Sequence, residues 1–262
     1  MPSLSSRTWL AELPPLRGLA PLLLFLAAWQ AIDPQRSPYF PPPAEWWTEI
    51  VVLVRNGRLF PALGDTLLTI LYAMAASALA AGVIGMLVGI SRRANRMLGP
   101  LLEFCRALPP PVIAPVAILL LGYDQSLKLA VVMWAAVWPI LLNTASAASL
   151  VDPLLIEVSR TFRLKRARTI WKIVVPSVVP SFLLGVRVAL PLAIIVTLLV
   201  EMLTLVPGVG ALIVTAQREF RSAQVYGLFV LVGLLGFVVN NAFLVAETLV
   251  LSRWPPRAHE TR

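Results

Sequence analysis

The stretch EVSRTFRLKRARTIWKIVVP, residues 157–176, is the one long cationic segment of a chain that is otherwise mostly apolar. A charged side chain at the centre of a bilayer costs roughly 2.5–3.5 kcal/mol, so a segment with six basic residues cannot cross a membrane. Prolines at 153 and 176 bracket the segment. We predict a short helix through Phe162, a turn near Arg163 and a second, basic helix that continues into an apolar span. The stretch is therefore expected to be a structured loop on one side of a membrane.

The composition of the chain is that of an integral membrane protein. Of its 262 residues, 58% are hydrophobic and 13% are charged, and the mean hydropathy is +0.82. Soluble domains carry about 25% charged residues. A helix needs roughly 20 apolar residues to cross about 30 Å of hydrocarbon, where it satisfies its own backbone polar groups. We predict an all-α polytopic fold with about six transmembrane helices, near residues 16–32, 66–90, 110–123, 127–148, 178–200 and 226–251.

Three proline-rich or glycine-rich segments modify this pattern. Prolines at 109, 110, 111 and 115 interrupt the start of the third span, and Gly208 and Gly210 predict a tight turn after the fifth. Between the first two spans, prolines 41–43 precede a predicted helix over residues 44–60. Tryptophan pairs favour the membrane–water interface. We expect this helix to lie in the outer interface, with one face that carries Trp46, Trp47, Ile50, Val51 and Val54.

The basic residues are divided unevenly between the two sides of the predicted membrane. With the N-terminus inside, 15 of the 22 Lys and Arg residues fall on the inner side and Arg187 lies within a span, while six fall outside, at Arg36, Arg55, Arg58, Lys128, Arg218 and Arg221. Cytoplasmic loops carry the excess of Lys and Arg. We predict a multi-pass protein of the cytoplasmic membrane, with both termini and the 157–176 loop inside. The net charge of +9 is thus a sign of topology rather than of a nucleic-acid surface.

Residues that carry chemistry are scarce in this sequence. Cys105 is the single cysteine, and His259 is the single histidine. These counts exclude an intrachain disulfide, a multi-cysteine metal site and an HExxH site, and they argue against Ser-His-Asp and Cys-His catalysis. No Gly-x-x-x-x-Gly-Lys-Ser/Thr phosphate loop occurs. We predict no catalytic residue, no metal site and no cofactor in this chain, so any work must draw its energy from a partner or an ion gradient.

The 157–176 stretch also follows a known spacing. Glu157, Ile173 and Pro176 occupy their positions in the signature Glu-Ala-Ala, three residues, Gly, nine residues, Ile, one residue, Leu-Pro, while the departures are Val158, Ser159, Arg163 and Val175. The chain thereby resembles permease subunits of bacterial ABC importers. Further runs are similar to the branch that imports nitrate, sulfonates and taurine, namely residues 106–110, 139–144, 151–157 and 185–190, and Glu201 followed by 208–210. The resemblance covers about residues 40–252.

This resemblance implies a set of partners and a role for the loop. The chain would pair with a second permease half, expected to be an identical copy, and with two cytoplasmic ABC ATPases that bind ATP and Mg²⁺. An extracytoplasmic binding protein would deliver a small anionic solute, which moves inward by alternating access. The loop would be the coupling helix, seated in a groove of the ATPase through Glu157, Val158, Ser159, Phe162, Arg163, Leu164, Ile173 and Pro176. Where the signature has glycine, Arg163 makes a left-handed turn costlier by roughly 1–2 kcal/mol.

The expected organisation has three parts. Residues 1–61 hold the N-terminal tail, the first transmembrane helix and the interfacial helix. Residues 62–252 form the permease core, with five transmembrane helices and the coupling loop at 150–176. Residues 253–262 form a cytoplasmic tail.

Four polar residues are candidates for the solute path: Asn143, Thr144, Arg187 and Glu201. A charge within a span normally faces the helix bundle or water. Arg187 is interpreted either as part of an anion path or as a structural ion pair or snorkelling residue. Glu201 is also interpreted as an ion pair or a loop cap, and Asn143 and Thr144 also as polar contacts between helices. Alternative functions are an ABC permease for an amino acid or osmolyte and a secondary transporter, although the sequence shows neither the inverted repeats nor the rings of intramembrane charge typical of the latter.

Overall fold

A computed structural model describes residues 19–31 and 39–252 of the protein. Within these ranges the chain forms helices joined by short connections, and none of the residues forms a β-strand. The α-helices are α1 Leu19–Ala31, α2 Pro43–Arg55, α3 Leu59–Ile90, α4 Arg92–Ala107, α5 Pro110–Leu121, α6 Gln125–Ser149, α7 Pro153–Thr161, α8 Arg166–Thr169, α9 Val175–Thr204, α10 Val209–Arg218 and α11 Ser222–Leu251. The predicted all-α fold is confirmed.

Four helical segments of the described chain are long and apolar enough to cross a bilayer: α3, α6, α11 and the continuous segment Arg166–Thr204 that contains α9. The pair α4 and α5 forms a fifth candidate, bent by 91° at its break. The helix α1 has 13 residues, which is about 20 Å at 1.5 Å per residue and shorter than the hydrocarbon layer. Of the six predicted spans, four are therefore single long helices, the third is a bent pair and the first is represented by a short helix.

The core of the bundle is formed by α3, α6 and α9. Glycines let these helices approach closely. A Cβ atom at Gly85 of α3 would lie 2.7 Å from the carbonyl oxygen of Leu141, and a Cβ atom at Gly185 of α9 would lie 2.8 Å from the Cα of Ile140. Helices in membranes pack through such small residues, because the lipid supplies no hydrophobic force that drives them together. The three helices consequently form one tightly packed unit.

The bend between α4 and α5 has a local cause. Leu108 precedes Pro109 and adopts the extended conformation that proline imposes on its neighbour, with ψ of 116°. Pro110 then occupies the first turn of α5, where a missing backbone N–H costs nothing. The predicted interruption by prolines is thus observed, and it falls before the apolar part of the span.

The predicted interfacial helix is shorter than expected, and the face that it buries differs from the predicted apolar face. The helix α2 ends at Arg55, and Gly57 at φ of 67° separates it from α3. Its buried side chains are Trp46, Ile50 and Leu53, whereas Trp47 is 70% exposed. The prediction that Trp46 and Trp47 share one face is wrong, because consecutive residues of a helix point about 100° apart. Trp46 stacks on Tyr226 of α11, with ring centroids 5.3 Å apart.

The bundle has two ends that differ in character. We name the end at Ser149 and Val175 the loop end, because α7 and α8 lie there. The opposite end, at Leu59, Gln125 and Thr204, is the far end, and it includes α10. The predicted domain boundary between residues 61 and 62 falls in the first turn of α3. The predicted cytoplasmic tail, residues 253–262, lies outside the described residues.

Candidate functional site

The loop at 153–174 folds as two short helical pieces separated by a left-handed turn. Asp152 caps α7, since its carboxylate accepts the backbone N–H of Leu154 at 2.8 Å. The helix ends at Thr161, and Arg163 follows with φ of 49°. The N–H of Leu164 donates to the carbonyl of Ser159 at 2.9 Å and closes the turn. Arg163 therefore adopts the conformation for which the resembled signature uses glycine.

The side chains predicted to contact an ATPase differ in accessibility. Glu157 and Arg163 are exposed, as are the apolar side chains of Val158 at 42% and Phe162 at 75%. Leu164, Ile173 and Pro176 are half-buried. Ser159 is buried, and its hydroxyl donates to the carbonyl of Ile156 at 2.6 Å. The loop thus presents an apolar patch at Val158 and Phe162 within a strongly charged segment, a composition typical of protein interaction surfaces.

The second half of the loop is continuous with a membrane-spanning helix. Between α8 and α9 the chain forms one π-helical turn, Ile170–Val174, which widens the helix without ending it. Val174 and Val178 are buried against Ala148 at the end of α6. The helical segment from Arg166 to Thr204 therefore runs unbroken for 39 residues, from the loop to the far end.

A cavity of about 670 Å³ lies between α7, α8 and the loop ends of α3 and α6. Its lining combines charged side chains of the loop with apolar side chains of the bundle, among them Glu157, Arg160, Arg166, Ile90, Ala148 and Val174. The cavity separates part of α7 from the bundle, while Ile156 of α7 packs against the cluster of Ala148, Val174 and Val178.

A buried polar cluster joins four helices at the far end. Lys128 and Glu201 are both fully buried, and Nζ of Lys128 lies 2.9 Å from Oε1 of Glu201. The same ammonium donates to the carbonyl of Pro207 at 2.8 Å. The hydroxyl of Thr66 lies 2.9 and 3.1 Å from the two carboxylate oxygens and accepts the N–H of Val209 at 2.9 Å. We name Thr66, Lys128 and Glu201, with residues 207–210, the far-end cluster.

The glycines of the far-end cluster make room for the carboxylate. A Cβ atom at Gly208 would collide with the carboxylate of Glu201, and Gly210 donates its N–H to Oε2 of Glu201 at 2.8 Å. The chain turns at residues 205–208, where Leu205 is the left-handed residue with φ of 57°, whereas Gly210 lies inside α10 and not in the turn predicted for it. The cluster therefore fastens the start of α10 to α9.

The burial of Lys128 was not predicted from the sequence. The charge count includes Lys128 among the residues of an outer segment, and the structure places it in the first turn of α6, at the far end, and buries it completely. A buried ammonium is stable only when it is paired, and here Glu201 and Pro207 supply the acceptors. The partner residues lie 73 and 79 positions away in the sequence, so no local pattern reveals the pairing.

The four path candidates do not form one cluster. Thr144 is 1% exposed, and its hydroxyl donates to the carbonyl of Ile140 at 2.6 Å within α6. Glu201 belongs to the far-end cluster. Arg187 is exposed on α9, and Asn143 is half-buried on α6, where it lines a second cavity. Only Asn143 and Arg187 are therefore accessible from the surface of this chain.

The second cavity has a volume of about 580 Å³ and lies between α5, α6 and α9, with Arg106 at the end of α4. Three polar side chains line it: Arg106, Trp138 and Asn143. Arg106 begins one of the runs that resemble the anion-importing branch, but neither its local sequence nor that of Trp138 shows that α5, α6 and α9 leave a gap beside these two residues.

Comparison with known proteins gives consistent matches. Residues 81–254 match the family described as binding-protein-dependent transport system inner membrane component. The chain is 27% identical to the protein named aliphatic sulfonates transport permease SsuC of Bacillus subtilis, over 91% of this chain and 87% of the relative. It is 26% identical to the bicarbonate transport system permease CmpB of Synechococcus elongatus, over 85% of this chain and 84% of the relative.

A solved structure supports the fold alone. The structure of an amino acid ABC transporter superposes with a TM-score of 0.58 at 14% identity, over 78% of this chain and 97% of that chain. The family match covers about two thirds of the present sequence, and the relatives are matched over most of their length. The chain therefore belongs to the binding-protein-dependent transport system inner membrane components, and it is a membrane-spanning permease of the ABC importer class.

Proposed function

We propose that this permease is one half of the membrane pathway of an ATP-driven importer and that α7 is its coupling helix. The observation that carries the proposal is the continuity of the loop with α9. An exposed patch at Val158 and Phe162 lies on or directly after α7, and the chain then runs through α8 into a helix that reaches the far end. A partner that grips the patch can therefore move a transmembrane helix.

The proposed ATPase contact uses the residues of the loop in different ways. Glu157, Val158, Phe162 and Arg163 are exposed and would contact the ATPase directly. Ser159 and Leu164 form the hydrogen-bonded turn, so they would hold the shape of the contact. Ile173 and Pro176 lie in the π turn and the start of α9 and would connect the contact to the span.

The proposed transport cycle follows from the pairing of two such halves. Two copies of this chain would enclose a central path, two ABC ATPases would bind ATP and Mg²⁺ at the loop end, and a solute-binding protein would dock at the far end. Closure of the ATPases would draw the two loops together and open the path toward the binding protein, and ATP hydrolysis would reverse this change. The loop end and both termini would accordingly face the cytoplasm, in line with the excess of basic residues there.

The proposed solute is a small anion. Relatives of this chain are named for sulfonate and bicarbonate transport. Arg187 is exposed on α9 within the membrane-spanning part of the chain, and it forms no ion pair with any acidic residue that the structure describes. A guanidinium in such a position faces water or a partner rather than lipid. We propose that Arg187 and Asn143 face the solute path, while Thr144 and Glu201 stabilise the half itself.

The coupling role is tested by charge reversal at Glu157. Glu157→Lys removes an attraction and adds a repulsion at the proposed ATPase contact, so the permease should insert normally but lose its co-purifying ATPase. The matched control is Glu219→Lys, the same change at an exposed carboxylate of the far end. Normal co-purification of the ATPase with Glu157→Lys, or equal loss with Glu219→Lys, would contradict the assignment.

A further inference from the structure

The helix α4 is amphipathic along its whole length. Met97, Leu101 and Phe104 follow one another at spacings of four and three residues, so these apolar side chains share one face of the helix. At about 100° per residue, Glu103 lies about 160° around the helix from Leu101. The face opposite Leu101 is charged and carries Arg92, Arg96, Glu103 and Arg106. One side of α4 is therefore suited to hydrocarbon and the other to water.

The apolar face of α4 is not covered by the rest of the described chain. None of the residues of α4 is buried, and Met97, Leu101 and Phe104 are 79%, 55% and 64% exposed. Leu102, at the edge of this face, packs against the core of the bundle. The helix is thus attached to the bundle along one edge, and its broad apolar face is left for contact with something outside the chain.

The helix α4 begins at the level where the membrane surface is expected. Ile90, the last residue of α3, packs against Ala148 at the loop end, and Arg92 lines the cavity beside α7. From there α4 runs for 16 residues, about 24 Å at 1.5 Å per residue, at 91° to α5. Each charged side chain at the centre of a bilayer costs roughly 2.5–3.5 kcal/mol. With five charged side chains, α4 does not fit the hydrocarbon interior.

The charge of α4 decides which partner its apolar face suits. Four arginines and one glutamate give the helix a net charge of +3, and none of the four arginines forms an ion pair with an acidic residue that the structure describes. A two-fold contact between copies of this chain would place α4 beside the same positive charge and repel it. Anionic phospholipids supply both the hydrocarbon and the negative phosphates, and arginine clusters on amphipathic helices bind them.

We propose that α4 is an interfacial helix that lies in the headgroup layer at the loop end of the membrane and binds anionic phospholipids. Its apolar side chains Met97, Leu101 and Phe104 lie at the boundary with the acyl chains, and its arginines contact the lipid phosphates. The proposal goes beyond transport and is independent of the coupling role and of the solute. It takes from the proposed function only that the loop end faces the cytoplasm.

The depth of α4 is measured by fluorescence quenching in nanodiscs of phosphatidylcholine and phosphatidylglycerol, with the permease purified together with its ATPase. In a background without Cys105, a bimane label is placed at Leu101→Cys or, as the matched control, at Glu103→Cys. The Leu101→Cys label should be quenched by doxyl-labelled lipid and protected from iodide in the water. The Glu103→Cys label, on the opposite face of the same turn, should show the reverse pattern.

Three quenching results would overturn the interfacial position. Protection of the Leu101→Cys label from both quenchers would show that a protein surface, such as a second copy of this chain, covers the face. Strong quenching of the same label by iodide would place the face in water. Quenching of both labels by doxyl-labelled lipid would place the whole helix in the hydrocarbon.

The preference for anionic lipid is measured by native mass spectrometry of the same complex, released from detergent with equal amounts of phosphatidylglycerol and phosphatidylcholine. Each basic residue near an anionic surface is worth about fivefold in binding. Arg93→Gln with Arg96→Gln, at two exposed positions, should therefore lower the ratio of retained phosphatidylglycerol to phosphatidylcholine by about tenfold or more. The control Glu103→Gln removes an acidic group from α4 and should leave this ratio equal or higher. An unchanged ratio in the double variant, or a similar fall in Glu103→Gln, would overturn the anionic-lipid assignment.

Discussion

Replacement of Lys128 by methionine removes the cation of the far-end cluster while it keeps an unbranched side chain of similar length. The variant leaves the carboxylate of Glu201 with only Thr66 and the N–H of Gly210 as donors, and it leaves the carbonyl of Pro207 without its ammonium. Lys128 and Glu201 are both fully buried. Removal of one partner from a buried ion pair costs about 3–5 kcal/mol, because the other charge stays buried without compensation.

The assay is thermal unfolding of the purified permease in detergent, followed by near-ultraviolet circular dichroism. For a chain of this size a loss of 1 kcal/mol lowers Tm by roughly 2–4 °C, so Lys128→Met should lower Tm by roughly 6–20 °C. The matched control is Lys172→Met, the same substitution at an exposed lysine of the loop. A surface change of this kind shifts the unfolding free energy by about 0.5 kcal/mol or less.

A second substitution tests whether the loss of stability comes from the unpaired carboxylate of Glu201. Glu201→Gln added to Lys128→Met neutralises the carboxylate and keeps its shape, so the double variant should regain part of the lost stability. A Tm for Lys128→Met no lower than that for Lys172→Met would refute the reasoning. The reasoning would also be refuted if the double variant were less stable than Lys128→Met alone.

Three further predictions concern the loop, the topology and the path. Arg163→Gly should be tolerated in transport and raise the unfolding free energy by about 1 kcal/mol, measured by thermal unfolding, because glycine adopts the left-handed conformation freely; a lower Tm would contradict this. In a background without Cys105, a cysteine at Lys165 should be protected from an impermeant thiol reagent in intact cells, while one at Gln125 should be labelled; the reverse pattern would overturn the orientation. Arg187→Gln should reduce uptake per assembled complex and Arg187→Lys should retain part of it, with Tm unchanged in both; unchanged specific uptake for Arg187→Gln would eliminate the path role.

The parts of the protein that follow local rules were predictable from the sequence. The runs of apolar residues predict the long helices, since a bilayer leaves few alternatives to a helix. The prolines at 153 and 176 bracket the loop, and its turn falls at Arg163 as expected. The break before α5 was likewise predictable, because proline restricts the residue that precedes it.

The parts that depend on tertiary packing were not predictable. From the local sequence alone Lys128 is predicted to lie at the surface, because its acceptors Glu201 and Pro207 lie far along the chain. The burial of this ion pair depends on how α3, α6 and α9 pack. The exposure of Trp47 follows from the packing of α2 on α11, where Gly227 admits Ile50. The lining of the second cavity comes from α4, α5, α6 and α9, so no single segment of sequence displays this cavity.

The central claim is that ATP hydrolysis on a partner, transmitted through the α7 loop, drives import through this permease. The direct measurement is uptake of a radiolabelled sulfonate into proteoliposomes that contain the permease and its ATPase, with the loaded binding protein outside and ATP with Mg²⁺ inside. The account predicts uptake that requires both ATP and the binding protein and that is lost in Glu157→Lys. Uptake that proceeds without ATP and follows an imposed ion gradient would contradict the account and identify a secondary transporter.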